Sequence, residues 1–297
     1  MRKVGIVTDS HSGISQEEAK ELGIHVLPMP FYIEEECFYE NVTITRDTFF
    51  KELRDGKNVS TSQPSPGDVM KLWKEVLTEY ETILYLPISS GLSGSYETAH
   101  MLSTEEEFCQ RVYVVDHGRV ASPLRRTILD ALELVGEGYT AEQIKEILEG
   151  ERDKVSIYIA VETLEYLKKG GRITPATAAI GTLLNIKPVL QLDVGMLESF
   201  SKCRGMKKAR KEMLAALRND METRYREFYE KDELYLLAAS SADEATTEEW
   251  LKEIQSEFPG MEVLFDYLPL AICCHTGEGA LGVGCSCRPK REKSEEV

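Results

Sequence analysis

The sequence predicts an α/β fold in two domains: an N-terminal Rossmann-like domain on a mainly parallel sheet, and a C-terminal α/β domain with a mixed sheet. Three observations carry this. Short apolar strands alternate with helical stretches through the first half, the repetition of a parallel sheet covered on both faces. A polar stretch, Gly150 to Lys154, interrupts the alternation and sets a boundary, giving domains over 1–152 and 153–287 and a disordered polar tail over 288–297. Beyond it, Lys187–Leu192 and Met196–Phe200 read as strands paired around Asp193-Val194-Gly195.

Val4–Thr8 is the first strand. Ser15-Gln16-Glu17-Glu18 reads as a capping box and opens a helix to Leu22. Ile24–Ile33 has strand composition, but Pro28 and Pro30 cannot donate to a ladder and belong near a sheet edge. Thr45–Leu53 is a short helix. Ser65 caps the next, with Pro66 at the first helical position and Asp68 where the helix dipole favours an anion. Val69, Leu72, Trp73, Val76 and Leu77 then fall on one apolar face. Strand Thr82–Leu86, helix Gly94–Ser103, strand Arg111–Val115, a helix to Val135 and another over Thr140–Glu149 complete this half.

In the second half Val155–Val161 is a strand and Thr163–Lys169 a helix stopped by Gly170-Gly171. Thr174-Pro175 starts a small-residue helix reaching Asn185, and a charged helix runs from Met206 to Tyr229. Strand Leu234–Ala239, a capped helix over Ser241–Glu257 and strand Glu262–Leu268 follow.

Composition narrows the function. A chain of 297 residues, 42% hydrophobic and 29% charged, can bury a full core. Its net charge of −16 repels phosphate backbones and anionic headgroups, which argues against nucleic acid and membrane surfaces as partners. No apolar run approaches the ~18 residues of a membrane span, and Asp9 comes too early for a signal peptide. Seven scattered cysteines, an odd number, suit reduced thiols and a cytoplasmic protein.

Three segments are rich in hydroxyls and glycine: Thr8-Asp9-Ser10, Ser60-Thr61-Ser62-Gln63-Pro64-Ser65-Pro66, and Ile88-Ser89-Ser90-Gly91-Leu92-Ser93-Gly94-Ser95-Tyr96. In open α/β sheets such loops form the ligand crevice, and the second and third lead into helix N-termini, where free N–H groups hold an anion. A helix cap needs one hydroxyl, and these supply four or five each. Neither of those two loops holds Lys or Arg, so a single carboxylate fits them better than a polyphosphate.

Several enzyme motifs fail on inspection. Gly91-Leu92-Ser93-Gly94-Ser95 lacks the last glycine of a nucleophile elbow. Asp9 lacks the second acid two residues on, where His11 stands. Gly277-Glu278-Gly279-Ala280-Leu281-Gly282 spells a dinucleotide fingerprint too near the end of the sequence for a βαβ unit to follow. Cys273, Cys274, His275, Cys285 and Cys287 lack the spacing of zinc knuckles, so no metal and no cofactor is expected. A basic cluster of Lys168, Lys169 and Arg172 stands out on the acidic chain as a candidate partner-docking knuckle.

Together these segments, with Lys169-Gly170-Gly171-Arg172-Ile173, Arg204-Gly205-Met206-Lys207-Lys208-Ala209 and His275-Thr276-Gly277, resemble the DegV family of bacterial fatty-acid-binding proteins over residues 3–284. The resemblance implies a long-chain fatty acid held between the domains by a non-catalytic carrier. The carrier would present it to a separate ATP-using fatty acid kinase subunit, which makes acyl phosphate for phospholipid synthesis. It implies that Thr61 and Ser93, with Ser62 and Gly94 beside them, bind the carboxylate, and that Arg204 and His275 lie near the head group. The sequence departs from the family pattern at His117–Arg126, where serines and spaced glycines are usual, and at Glu278, often proline. The alternatives are a hydrolase or transferase using Ser93, and a sensor of another small organic acid.

Overall fold

A computed structural model describes residues 2–178, 186–193 and 196–291. The first half runs β1 (Arg2–Asp9), α1 (Gln16–Leu22), β2 (His25–Leu27), β3 (Phe31–Ile33), β4 (Glu36–Phe38), α2 (Arg46–Arg54) and β5 (Val59–Thr61). It continues with α3 (Pro66–Val76), β6 (Tyr80–Leu86), α4 (Ser95–Ser103), β7 (Val112–Val114), α5 (Ala121–Gly136) and α6 (Ala141–Gly150). The second half runs β8 (Val155–Ala160), α7 (Glu165–Gly170), α8 (Pro175–Ala178), β9 (Ile186–Asp193), β10 (Met196–Arg204) and α9 (Met206–Glu222). Then come α10 (Arg226–Glu230), β11 (Leu234–Ser240), α11 (Glu244–Glu257), β12 (Val263–Tyr267), α12 (Leu270–Thr276) and β13 (Leu281–Cys287).

The local signals act as their chemistry requires. Ser15, Thr45 and Ser65 each accept a hydrogen bond from the backbone N–H three residues on and so start α1, α2 and α3. Four strands form an all-parallel sheet in the order β2-β1-β6-β7. The chain leaves β1 for β2 on one side and later returns to β6 on the other, so the strand order reverses between β1 and β6. Ligand crevices form at such a switch point. Pro28 and Pro30 split the Ile24–Ile33 stretch. It yields β2, at one edge of the parallel sheet, and β3, in a separate antiparallel sheet of order β4-β3-β5.

The second half builds one mixed sheet in the order β10-β9-β8-β13-β11-β12, parallel only between β11 and β12. Its interior strand β13 was not legible in the sequence, because Gly282 and Gly284 interrupt the apolar alternation that marks a strand. The charged stretch Met206–Tyr229 forms two helices, not one. At the end of α9 the Thr223 N–H and its Oγ1 both donate to the Asn219 carbonyl, at 3.0 and 2.6 Å. Asp243 rather than Ser241 caps α11. The expected helix to Asn185 is seen as α8, and positions 179–185 lie outside the described residues, as do 194–195 and 292–297. The start of the polar tail is packed: Arg288 Nε donates to Tyr235 Oη at 3.2 Å and Arg291 pairs with Glu133.

One face of the mixed sheet is sealed by α9 and α11 around Trp250, Met213 and Leu217. Another cluster joins Phe31, Phe49 and Val59 of the first half to Leu167, Leu270 and Cys273 of the second. The parallel sheet ends with β7 and the mixed sheet begins with β8, while apolar packing crosses between the halves.

Candidate functional site

An apolar cavity lies between the switch point of the parallel sheet and the face of the mixed sheet that α9 and α11 leave open. Most of its wall is aliphatic. Most of its polar groups gather where loops of both halves meet: His11, Thr61, Ser62, Ser93, Arg172 and His275; Ser122 instead bonds the Ala238 carbonyl at the start of α5.

Asp9 organises the switch point. Its carboxylate is wholly buried and accepts the N–H of His11 at 3.0 Å and of Ile88 at 2.8 Å, tying the loop after β1 to the loop after β6. The same carboxylate holds His11 Nδ1 at 2.9 Å, which leaves the other ring nitrogen for the cavity. A carboxylate used three times in this way is a positioning group and not an exposed nucleophile.

His275 comes from the other side, on α12. Its Nε2 lies 2.9 Å from Thr61 Oγ1, while its Nδ1 is buried without a partner. Burial, and then the charges of Arg172 and His11, push its pKa down to about 4, so the ring is neutral at neutral pH. With the proton on Nε2 the ring donates to Thr61, and the threonine hydroxyl hydrogen is free for a ligand. Gly170 packs against the other edge of this ring: a Cβ there would stand 2.0 Å from Nδ1. Gly170 and Gly171, read from sequence as one helix stop, thus do different jobs. Gly171 takes the left-handed conformation that ends α7 (φ +67°), and Gly170 makes room for His275.

Arg172, grouped by sequence with Lys169, lines the cavity; its Nε donates to the Leu92 carbonyl at 3.1 Å and a second nitrogen bonds the Gly170 carbonyl. The hydroxyl loops lack a cation of their own, and this neighbouring loop brings one to them. Lys169 is exposed, with its ammonium 2.7 Å from Asn58 Oδ1. Ser93 Oγ sits 2.8 Å from Ser95 Oγ and accepts the Ser95 N–H at 3.2 Å, so both of these bonds are to Ser95 and neither is to an imidazole. Gly94 is exposed and precedes α4; a Cβ on it would come 2.7 Å from Gln63 Oε1, which shows how closely the two hydroxyl loops approach. Arg204 is exposed at the end of β10 and is not among the lining residues.

His11 matches no sequence motif; its position two residues after a strand-terminal Asp is the signal the sequence offers. The unusual stretch after β7 turns out to be a strut. His117 Nε2 lies 2.7 Å from the Pro87 carbonyl, and its Nδ1 accepts the Arg119 N–H at 3.0 Å, so the ring is neutral and fully used. Complete burial pushes its pKa down to about 3. The cysteines weighed for a metal separate: Cys273 and Cys274 pack in one core cluster, Cys285 and Cys287 in another.

The family model described as uncharacterised protein, DegV family, matches residues 3–287. The chain belongs to the DegV family. A DegV domain-containing protein of Clostridium perfringens is 31% identical over 291 residues, covering 95% of this chain and 97% of that one. A DegV family protein from Thermus thermophilus, described for its fatty acid binding, superposes with a TM-score of 0.86 at 34% identity, covering 96% and 99% of the two chains. DegV of Bacillus subtilis, described as a fatty acid binding protein, superposes with a TM-score of 0.82 at 27% identity, covering 97% and 100%. This DegV chain shares with them the two-part α/β architecture, a parallel sheet followed by a mixed one.

Proposed function

We propose that this DegV protein binds a long-chain fatty acid, carboxylate at the Thr61–Ser93 end and tail in the aliphatic cavity, and presents it to a separate ATP-using kinase subunit that forms acyl phosphate. One observation carries the binding reading: the cavity is aliphatic along its length and collects hydroxyls, a neutral imidazole and a guanidinium at one end. Burying a carboxylate costs several kcal/mol, and each charge-assisted hydrogen bond returns about 1.5–3 kcal/mol, so the head group roughly breaks even. The tail supplies the affinity, at about 0.8 kcal/mol per buried methylene. The named fatty acid binding of the relatives supports the same ligand.

The kinase step rests on the family resemblance. In this reading Lys169 and Arg172 flank the head group on the docking side, and Arg204, exposed and off the cavity wall, serves the phosphoryl-transfer stage. Ser93 as a nucleophile is disfavoured, since its hydroxyl is engaged by Ser95. The test is organic extraction of purified protein with mass spectrometry. A stoichiometric fatty acid is expected; its absence, with turnover of an ester by the isolated protein, would sink the carrier reading. For the second step, Arg204→Ala should keep its lipid and lose partner-dependent acyl-phosphate formation.

A further inference from the structure

The open face of the mixed sheet is grooved along one strand. Leu281, Val283, Cys285 and Cys287 of β13 face the core under α9 and α11, so alternation turns Gly282, Gly284 and Ser286 to the cavity side. The pairing arranges these as rungs. Gly282 lies between Ile159 of β8 and Ala239 of β11, and Gly284 between Ile157 and Leu237. All six of these residues line the cavity. A strand without side chains between two aliphatic neighbours is a trough, roofed by Ala121, Ser122 and Pro123 at the start of α5. Ser122 Oγ fastens that roof to the Ala238 carbonyl at 2.7 Å.

The third rung differs. Ser286 puts a side chain where the glycines had none, and it is held by Arg119, which is 1% exposed. Arg119 Nη1 donates to Ser286 Oγ at 3.0 Å and to Thr127 Oγ1 at 2.9 Å, and Nη2 to the Glu151 carbonyl at 3.0 Å. Neither Ser286 nor Arg119 lines the cavity. An alkyl group advancing past the Gly284 rung would have to displace a buried, hydrogen-bonded guanidinium, which apolar contact cannot repay.

We propose that Gly282 and Gly284 floor the channel for the acyl tail and that the Ser286–Arg119 pair ends it, so that β13 sets the longest acid this protein accepts. The inference rests on the fatty-acid reading above and adds the specificity determinant to it.

Gly282 is the residue to change. A Cβ there would meet the Ala239 and Tyr158 carbonyl oxygens at an ordinary 3.6 Å, whereas one on Gly284 would strike the Ser156 carbonyl at 2.4 Å. Gly282→Val should therefore fold and fill the first rung. Purified wild type and variant are equilibrated with an equimolar mixture of saturated acids from octanoate to octadecanoate, and the acids retained after gel filtration are quantified by mass spectrometry. Each methylene denied burial costs about fourfold in affinity, so excluding roughly three changes the ratio of bound hexadecanoate to decanoate by about 50-fold. Ser286→Gly should shift the load toward longer acids, and no shift there removes the terminal stop. A Gly282→Val protein that melts as a folded domain and loads the wild-type lengths overturns the floor. If that variant does not fold, Gly282→Ala must move the distribution the same way by about fourfold, and an unmoved distribution overturns the floor equally. Wild type that takes up no acid at all defeats the fatty-acid reading itself, which distinguishes the two failures.

Discussion

Replacing Gly170 with alanine tests the head-group geometry at its narrowest point. The added methyl would lie 2.0 Å from His275 Nδ1, 2.6 Å from Cε1 and 3.3 Å from Cγ. To regain an ordinary contact of ~3.5 Å the ring must retreat by about 1.5 Å. Thr61 stands 2.9 Å from Nε2 on the opposite edge, so the ring cannot retreat straight towards it and must swing aside, which breaks that bond. Thr61 then loses the partner that orients its hydroxyl, and a ligand carboxylate loses one charge-assisted bond, worth about 1.5–3 kcal/mol, or roughly a tenfold to hundredfold weaker Kd. The backbone itself tolerates the change, since Gly170 ends a helix without a left-handed φ, and alanine gains helix propensity of up to ~1 kcal/mol. Gly171→Ala is the control: nothing lies within 4 Å of its Cβ, but its φ of +67° penalises a side chain. That variant should lose about 1 kcal/mol of stability and keep its affinity. Titration with hexadecanoate alongside thermal melts separates the two. Equal affinities for Gly170→Ala and wild type would refute the argument that the glycine exists to seat His275.

Three further outcomes are expected. Thr61→Val should weaken hexadecanoate binding by about tenfold and hexadecanol binding much less, because only the acid needs a charge-assisted bond, as competition at fixed pH would read. Lys169→Glu should leave fatty-acid affinity within about twofold of wild type, as expected for an exposed charge, while Arg172→Glu should lower it at least tenfold through its place in the cavity wall; equal effects would contradict the division. His117 titrates near 3 in the folded protein against 6.5 unfolded, so the unfolded chain binds the extra proton between those values. Its contribution is present above pH 6.5 and lost as pH falls toward 3, so the melting temperature should drop between pH 7 and pH 4.5 by less in His117→Gln than in wild type.

The alternation of strand and helix in the first half is legible in the sequence because its signals are local. A serine three residues before an amide, a proline at a first helical turn and an apolar face at helical spacing act through neighbours along the chain. The hydroxyl-rich loops were legible for the same reason, as was the family resemblance carried by their order. The helix break at Thr223 and strand β13 were not. In the first, the backbone leaves helical geometry at Thr223 although composition favours continuation, and in the second glycine holds two of the alternating places.

Which groups meet depends on long-range packing. Thr61 and His275 touch across 214 positions of sequence. Arg172 joins the serine loop through a backbone carbonyl 80 positions away, and Arg119 reaches Ser286 across 167. Gly170 looks like any helix-ending glycine until the imidazole packed against it is seen. Local propensity carries no information about such encounters. They follow from sheet order and from the packing of one half against the other, and these place a neutral imidazole and a guanidinium at the polar end of an aliphatic trough.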